Sequence, residues 1–385
     1  MKERSGSEEL LIVGGGLAGA AAACVLSQAG CPALLIERET TPRHKVCGEF
    51  LSIEAQAYLA HLGVDLDDLG ASRISSVRLI HGRVTAEVAL PFTGRGLSRM
   101  SLDEALLKRA SFHGTRIVEG VALRALSVDA QGLRAEIGDP GDVHARTLFL
   151  ATGKHDVRGA KRPFAGSAQD LIGFKMHYLL RDGQRSGLEG SVEVALFPGG
   201  YAGLQLVERG IANLCLVVTR QCFQEVGKSW HKLLEFIAGQ TPQLSHRMDG
   251  AVPLFVRPLS IFQVPYGFVH SPHRAEPQGL FRIGDQAGVI PSYTGDGMAI
   301  ALHSGCLAAS TYLEAGQAGS LFHHRLRTDI SHQIRLASLF YEAGRQTVGQ
   351  KAILQLCRTW PSVMRYVASL TRIGHTAVER VLVRT

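Results

Sequence analysis

Seven cysteines in 385 residues form no Cys-x-x-Cys pair, so the chain carries neither a disulfide framework nor a zinc or iron–sulfur ligand spacing. Sixteen histidines include no His-Glu-x-x-His or His-x-His pattern, and no metal centre is expected. No Gly-x-Ser-x-Gly elbow follows an apolar run, which removes the serine-hydrolase reading. Basic stripes interleaved with aromatics are also lacking, so no nucleic-acid partner is expected. The uncharged stretch from Leu10 to Ile36 is long enough to span a membrane, but Gly14, Gly15 and Gly16 interrupt it and Glu8 and Glu9 abut it. A reducing, cytoplasmic setting is expected, with peripheral membrane contact left open.

What is present points to a large folded chain. Hydrophobic residues make up 45% and charged residues 19%, enough to bury a core of two closely connected domains. The net charge of +7 is localised: Leu321 to Thr385 holds ten Lys or Arg against three Asp or Glu, the whole of the excess. In that tail Arg345, Lys351, Arg358, Arg365 and Arg372 recur at spacings of six or seven, with Pro361 expected to break the helix between them. This basic face is a candidate contact for an anionic membrane or an acidic carrier protein.

Periodicity gives a strand at Leu10–Val13, an alanine-rich helix at Leu17–Gln28 and a second strand at Ala33–Ile36. A helix is expected from Leu51 to about Leu62, then strands at Ile74–Ile80 and Val84–Leu90. Ser101 followed by Glu104 predicts a capping box opening a helix over Leu102–Ala110. Alternation in Val192, Val194 and Leu196, with a turn at Pro198 to Gly200, marks a second, mostly antiparallel sheet over Leu171–Val218. After Leu280 the text returns to strand, glycine-rich loop and helix, and it stays helical from Ser320.

Gly14, Gly16 and Gly19 fit Gly-x-Gly-x-x-Gly between the first strand and helix. The first glycine makes the tight turn, the second lets a pyrophosphate approach, and the third lets helix and strand pack. Leu17 and Ala18 lie inside this fingerprint. Glu37 closes the next strand, at the distance where an acidic side chain takes an adenosine ribose, and Arg38 follows it. A glutamate there disfavours a 2′-phosphate.

The string GDQAGVIPSYTGDGM, Gly284 to Met298, resembles the second FAD motif of the flavoprotein superfamily that holds p-hydroxybenzoate hydroxylase and geranylgeranyl reductase. The resemblance implies that Gly284, Asp285 and Gly288 meet the ribityl or pyrophosphate side of FAD. It also implies that Pro291, Gly295, Gly297 and Met298 pass beside the isoalloxazine ring. Lys45 to Glu49 is similar to the Lys-x-Cys-Gly-Gly segment of geranylgeranyl reductases, which would place Cys47 and Gly48 near the flavin. Glu49 replaces the second glycine, and Lys45 and Arg43 are placed to lower the Cys47 pKa. Arg99 matches an arginine that reaches FAD from just ahead of a helix. In Leu150 to Gly159, Thr152 stands where aromatic hydroxylases carry Asp, while Arg158 is retained. The Trp-x-Trp-x-Ile-Pro motif of flavin halogenases is absent, since the tryptophans are Trp230 and Trp360.

The expected fold is α/β. It has a discontinuous Rossmann-like FAD-binding domain (1–72, 99–165 and 275–320), a second, mostly antiparallel β-sheet substrate domain (73–98 and 166–274), and a helical C-terminal region (321–385). The resemblance implies an FAD-dependent oxidoreductase with NAD(P)H as external reductant and a hydrophobic small molecule as substrate. Monooxygenation of an aromatic or polyketide-like compound is the leading expectation. Reduction of carbon–carbon double bonds, a non-catalytic prenyl-lipid escort and an electron-transfer flavoprotein are alternatives. Lys175 and His177 share one face of a predicted strand, and with Tyr266 they are expected to point into the substrate pocket. With Cys47 and Pro291 they are the candidate catalytic residues.

Overall fold

In a computed structural model the chain is described over residues 6–138, 141–163, 170–273 and 276–384. The domain boundaries expected at 165/166 and 274/275 lie outside these residues. β1 (Gly6–Val13) leads through glycines to α1 (Leu17–Gln28), and β2 (Leu34–Glu37) returns parallel to β1, Leu11 opposite Leu34. Every residue of α1 but Gln28 is buried. Its alanines let a later helix approach so closely that a Cβ on Gly305 would strike the Ala18 carbonyl oxygen.

There follow β3 (Phe50–Leu51), α2 (Ile53–His61), the hairpin β4 (Ser72–His81) and β5 (Val84–Gly96), and α3 (Arg99–Phe112). The start of α3 corrects the expected capping box. Ser98 is the N-cap, its hydroxyl accepting from the Ser101 amide, and Arg99 is the first helical residue rather than one ahead of the helix. Glu208, more than a hundred residues away, decides this by accepting from the Ser98 amide (2.8 Å) and the Ser101 hydroxyl (2.8 Å). Glu104 instead pairs with Lys108 at 2.6 Å on the surface.

Next come β6 (Arg116–Glu119), the antiparallel pair β7 (Ala125–Asp129) and β8 (Gly132–Glu136), and β9 (Val143–Leu150). The second sheet adds β10 (Leu171–Leu179), then α4 (Asp182–Ser186), β11 (Gly190–Phe197), β12 (Gly200–Leu206) and β13 (Ala212–Thr219). Three helices, α5 (Arg220–Glu225), α6 (Trp230–Gln240) and α7 (Pro242–Arg247), precede the short β14 (Val252–Pro253) and β15 (Leu259–Phe262). The chain then re-enters the first domain with β16 (Leu280–Arg282) and α8 (Gly297–Ala315). It ends in α9 (Gly319–Gly344), α10 (Thr347–Thr359), α11 (Pro361–Leu370) and α12 (His375–Arg384). Pro361 opens α11 at the break with α10.

The first sheet runs β6-β2-β1-β9-β8-β7, with β16 parallel to the second half of β9. The carboxyl ends of β1, β2, β9 and β16 therefore lie along one edge, where ligands of doubly wound sheets bind. The second sheet runs β14-β10-β13-β12-β11-β4-β5-β3, antiparallel except for β11 with β4. One of its faces, with Phe174, Met176, Leu204 and Leu214, packs under Leu233 and Ile237 of α6. The other faces inward, and α10 closes over it with Ile353, Leu354 and Cys357.

Among the described residues no helix is long and apolar enough to cross a membrane. The tail arginines are not all on the outside. Arg372 pairs with Glu54 at 3.0 Å and lies over the Phe92 ring at 4.2 Å, and Arg345 pairs with Glu342 at 3.0 Å.

Candidate cofactor and substrate site

Gly14 sits at φ 108°, where a side chain would collide with the Ala151 carbonyl. A Cβ on Gly19 would collide with the Gly14 carbonyl oxygen. Around Gly16 the space holds charge: a Cβ there would lie 3.6 Å from Arg99 Nη2 and 3.7 Å from Lys45 Nζ. Both cations are held by buried Asp103, Lys45 at 2.7 Å and Arg99 through Nε at 2.9 Å and Nη2 at 3.0 Å. Burial pushes Asp103 upward, but Arg99 and Lys45 outweigh it and keep the carboxyl below its ordinary value. Two cations against one carboxylate leave net positive charge above the uncapped N-terminus of α1, which is the environment a pyrophosphate needs. Glu37 is pre-set beside it. One carboxylate oxygen accepts from the Gly15 amide at 2.6 Å and the other from the Glu39 amide at 3.1 Å. Arg38 meets His155 at 3.1 Å.

The second half of the site closes from β16. Lys154 Nζ donates to Asp285 Oδ2 at 2.9 Å, and Arg162 donates to both the Asp285 carbonyl (3.0 Å) and the Lys154 carbonyl (2.7 Å). Gln286 ties down the carbonyls of Gly153 and His155. Asp285 thus stands next to the glycine fingerprint, as the discontinuous domain requires. Thr152 turns its hydroxyl to the His155 carbonyl, and Arg158 pairs with Glu136 at the surface. Gly288 has a packing role, since a Cβ there would meet Ile330 Cδ1 at 2.5 Å. Buried Pro291 leads into Ser292–Thr294, Gly295 takes φ 72° against Phe50, and Gly297 and buried Met298 open α8. These residues fit the FAD that the motifs imply: bare glycines, an anion-binding helix end and a fixed ribose acceptor.

Asp296, within the same loop, was not among the residues singled out from sequence, although it stands inside the quoted string. It is fully buried. One carboxylate oxygen accepts from the Ser52 hydroxyl at 3.0 Å and the other has no hydrogen-bond partner. Burial, helped by Glu54, pushes its pKa up to about 7 against the opposing Arg372. A carboxyl raised in the folded state adds stability that is full below its ordinary 3.8 and is lost as pH rises through about 7. Asp296→Asn is therefore expected to flatten the fall in stability across that window. Urea midpoints measured on both sides of it would show an unchanged slope if Asp296 titrates normally.

The segment from Lys45 to Glu49 lies against the second sheet. Asn213 Nδ2 donates to the Cys47 and Gly48 carbonyls at 3.0 and 2.9 Å. Cys47 Sγ accepts from the Glu49 amide at 3.3 Å. The cations expected beside Cys47 are engaged elsewhere, Lys45 with Asp103 and Arg43 with Glu39. Glu49 adopts φ 62°, the left-handed conformation that explains a glycine in the similar reductase segment. Its side chain is completely buried, accepts from the Arg99 amide at 2.7 Å, and binds Lys175 Nζ and His177 Nε2 (2.8 Å). Burial works against its charge, but His177 and Lys175 prevail and lower its pKa.

This arrangement corrects the pocket expected around Lys175 and His177. They do share a face of β10, and through Lys175↔Cys215 and His177↔Asn213 it is the cavity side of the sheet. Glu49 covers them, so neither lines the cavity. His44, Glu49 and His177 cluster closely enough to suggest a metal, as do His270, Glu276 and His323. In each, a cation already occupies the carboxylate, Lys175 in one and Arg282 in the other. His323 Nε2 also accepts the Arg282 amide, leaving the ring proton on Nδ1. Both clusters are arranged as ion pairs.

The cavity has a volume of about 310 Å³ and its floor is the inward face of the second sheet, including Val77, Val192, Val194 and Val217. Gly48 and the loop from Ser292 to Gly295 border it where the resemblance places the flavin ring. There the Tyr201 hydroxyl meets Ser292 Oγ at 2.6 Å and the Tyr266 hydroxyl at 3.3 Å, and Tyr266 also bonds Ser292. Burial raises the pKa of both tyrosines, so their hydroxyls keep their protons. Tyr266 stands one hydroxyl behind the cavity wall and does not line it.

Residues 8–155 match the family model described as an FAD binding domain. A tryptophan 2-halogenase of Chondromyces crocatus is 25% identical over 334 residues, covering 79% of this chain and 61% of that protein. Digeranylgeranylglycerophospholipid reductase 2 of Methanopyrus kandleri is 28% identical over 321 residues, 80% of this chain and 77% of the reductase. Among solved structures, the flavin-dependent brominase Bmp2 shares the fold with a TM-score of 0.76 at 17% identity, over 97% of each chain. With both halves of the FAD fingerprint assembled at one sheet edge, residues 8–155 form an FAD binding domain, and the chain resembles the FAD-dependent flavoprotein superfamily that holds p-hydroxybenzoate hydroxylase and geranylgeranyl reductase.

Proposed function

We propose that the protein is a monooxygenase acting on a hydrophobic, aromatic or polyketide-like small molecule, with NAD(P)H as external reductant. The observation that carries this reading is the apolar cavity bordered by Gly48 and the Ser292–Gly295 loop. Bound FAD would supply two-electron redox chemistry and oxygen activation. The chain's own residues exclude water with valine walls, and the protonated hydroxyls of Tyr201 and Ser292 orient a substrate oxygen. Halogenation is not favoured. Trp230 packs against Phe174 under the second sheet and Trp360 lies exposed between α10 and α11.

Reduction of a carbon–carbon double bond is the second reading, favoured by the Lys45–Gly48 segment beside the same cavity. Turnover with isotope-labelled dioxygen separates the two. A monooxygenase places one labelled atom in the product and the other in water for each NAD(P)H consumed. Saturation of a prenyl or enone compound under nitrogen, with no label incorporated in air, would overturn the first reading.

The exposed Lys351 and Arg358, together with Trp360, form the outward part of the tail that would touch an anionic membrane. Flotation with phosphatidylserine vesicles should show binding that raised salt abolishes. Absence of binding at low salt removes this contact.

A further inference from the structure

Tyr201, Gly203 and Gln205 alternate along the cavity face of β12, so the tyrosine and the carboxamide stand roughly 13 Å apart along the strand with a glycine between them. The two polar groups differ in how they are used. Tyr201 is satisfied by Ser292 and Tyr266, whereas Gln205 is 2% exposed and its amide nitrogen has no hydrogen-bond partner. An unmet buried carboxamide costs stability unless something completes it. Gly203 has an equally specific feature. A Cβ there would meet nothing closer than the Cys215 carbonyl oxygen at 3.7 Å, and its backbone is not in the left-handed region. Packing and conformation would therefore tolerate a side chain at 203, and the space it would occupy is cavity. Across the sheet, Gln205 is opposite Asn213, which holds Gly48, so the carboxamide lies at the end of the cavity nearest the Lys45–Glu49 segment.

Resting on the reading that this cavity is the substrate site, we infer that Gly203 and Gln205 form a subsite for a hydroxylated aromatic ring bearing an apolar chain. The flat ring lies over bare Gly203. Its hydroxyl donates to the Gln205 carbonyl oxygen or accepts from the amide nitrogen, the two arrangements being related by a turn of the carboxamide. The chain extends along Val77, Leu79 and Ile353. The cavity volume of about 310 Å³ lies at the small end of the ~300–1,000 Å³ range of small-molecule sites, which suits a single ring with a chain.

The test uses the flavin-loaded full chain and two probes of matched shape, para-nonylphenol and nonylbenzene, with binding followed by the change in flavin absorbance. Wild type is expected to prefer the phenol by about tenfold or more. Gln205→Leu should bring the two probes to near-equal affinity without weakening nonylbenzene. Gly203→Val should weaken both while leaving flavin content and melting temperature unchanged. Equal affinities in wild type, a preference that survives Gln205→Leu, or failure of para-nonylphenol to bind would overturn the subsite. The experiment needs no oxygen and no turnover, so its outcome is independent of the labelled-dioxygen test: a reductase could pass it and a monooxygenase could fail it.

Discussion

Lys175→Met is expected to destabilise the protein by about 3–5 kcal/mol, the cost of breaking a buried ion pair by removing one partner. Glu49 and Lys175 are both fully buried, and the carboxylate would be left with only His177 and the Arg99 amide. Glu49→Gly should be similarly costly despite relieving a side chain at φ 62°, because it strands the Lys175 ammonium in the interior. The double variant Glu49→Gly with Lys175→Met should be more stable than the sum of the two losses implies, since no unpaired charge remains. Urea denaturation of the four proteins gives the coupling directly. Single-variant losses under about 1 kcal/mol, or strict additivity, would show that the pair does not hold the Lys45–Glu49 segment in place.

Gly19→Val is expected to abolish flavin retention. The added Cβ would run into the Gly14 carbonyl oxygen, which is backbone that cannot turn aside, so the fingerprint loop and the first turn of α1 must separate. Gly288→Ala is the informative contrast. Its Cβ would meet only side-chain ends, those of Ile330 and Ile334, and it should lose about 1–3 kcal/mol of stability through overpacking while keeping its flavin. Chromatography of flavin released from each purified variant checks both outcomes. Flavin retained in Gly19→Val at the wild-type level would mean that the loop does not carry the cofactor.

Features governed by local rules were legible in the sequence. The alanine run predicts α1 with its observed bounds, and strand period two predicts that Lys175 and His177 share a face. What could not be read depended on residues distant in the chain. Two serines three apart, Ser98 and Ser101, are both plausible caps, and Glu208 chooses between them. Glu49 was visible as a departure from a glycine pattern, but only the fold shows that it reaches β10 and covers Lys175 and His177. Asp296 reads as one more polar residue in a glycine-rich loop until burial isolates its carboxylate. The spacing of Arg345 and Arg372 suggested an outward basic face, whereas Glu342 and Glu54 hold these two beside the cavity. Gln205 and Gly203 carry no motif, and their interest arises from what neither contacts.

The central claim is that the glycine fingerprint of β1 and α1 and the Asp285 segment after β16 form one FAD site. Its most direct test is the identity and amount of flavin released by denaturing the purified full-length protein, compared with Asp285→Ala. The expected result is FAD in equal molar amount to the wild-type chain, with the variant binding it about 10- to 100-fold more weakly, the equivalent of roughly 1–3 kcal/mol. A folded wild-type protein that is purified without flavin and takes up no added FAD, or an Asp285→Ala variant with unchanged affinity, would contradict it.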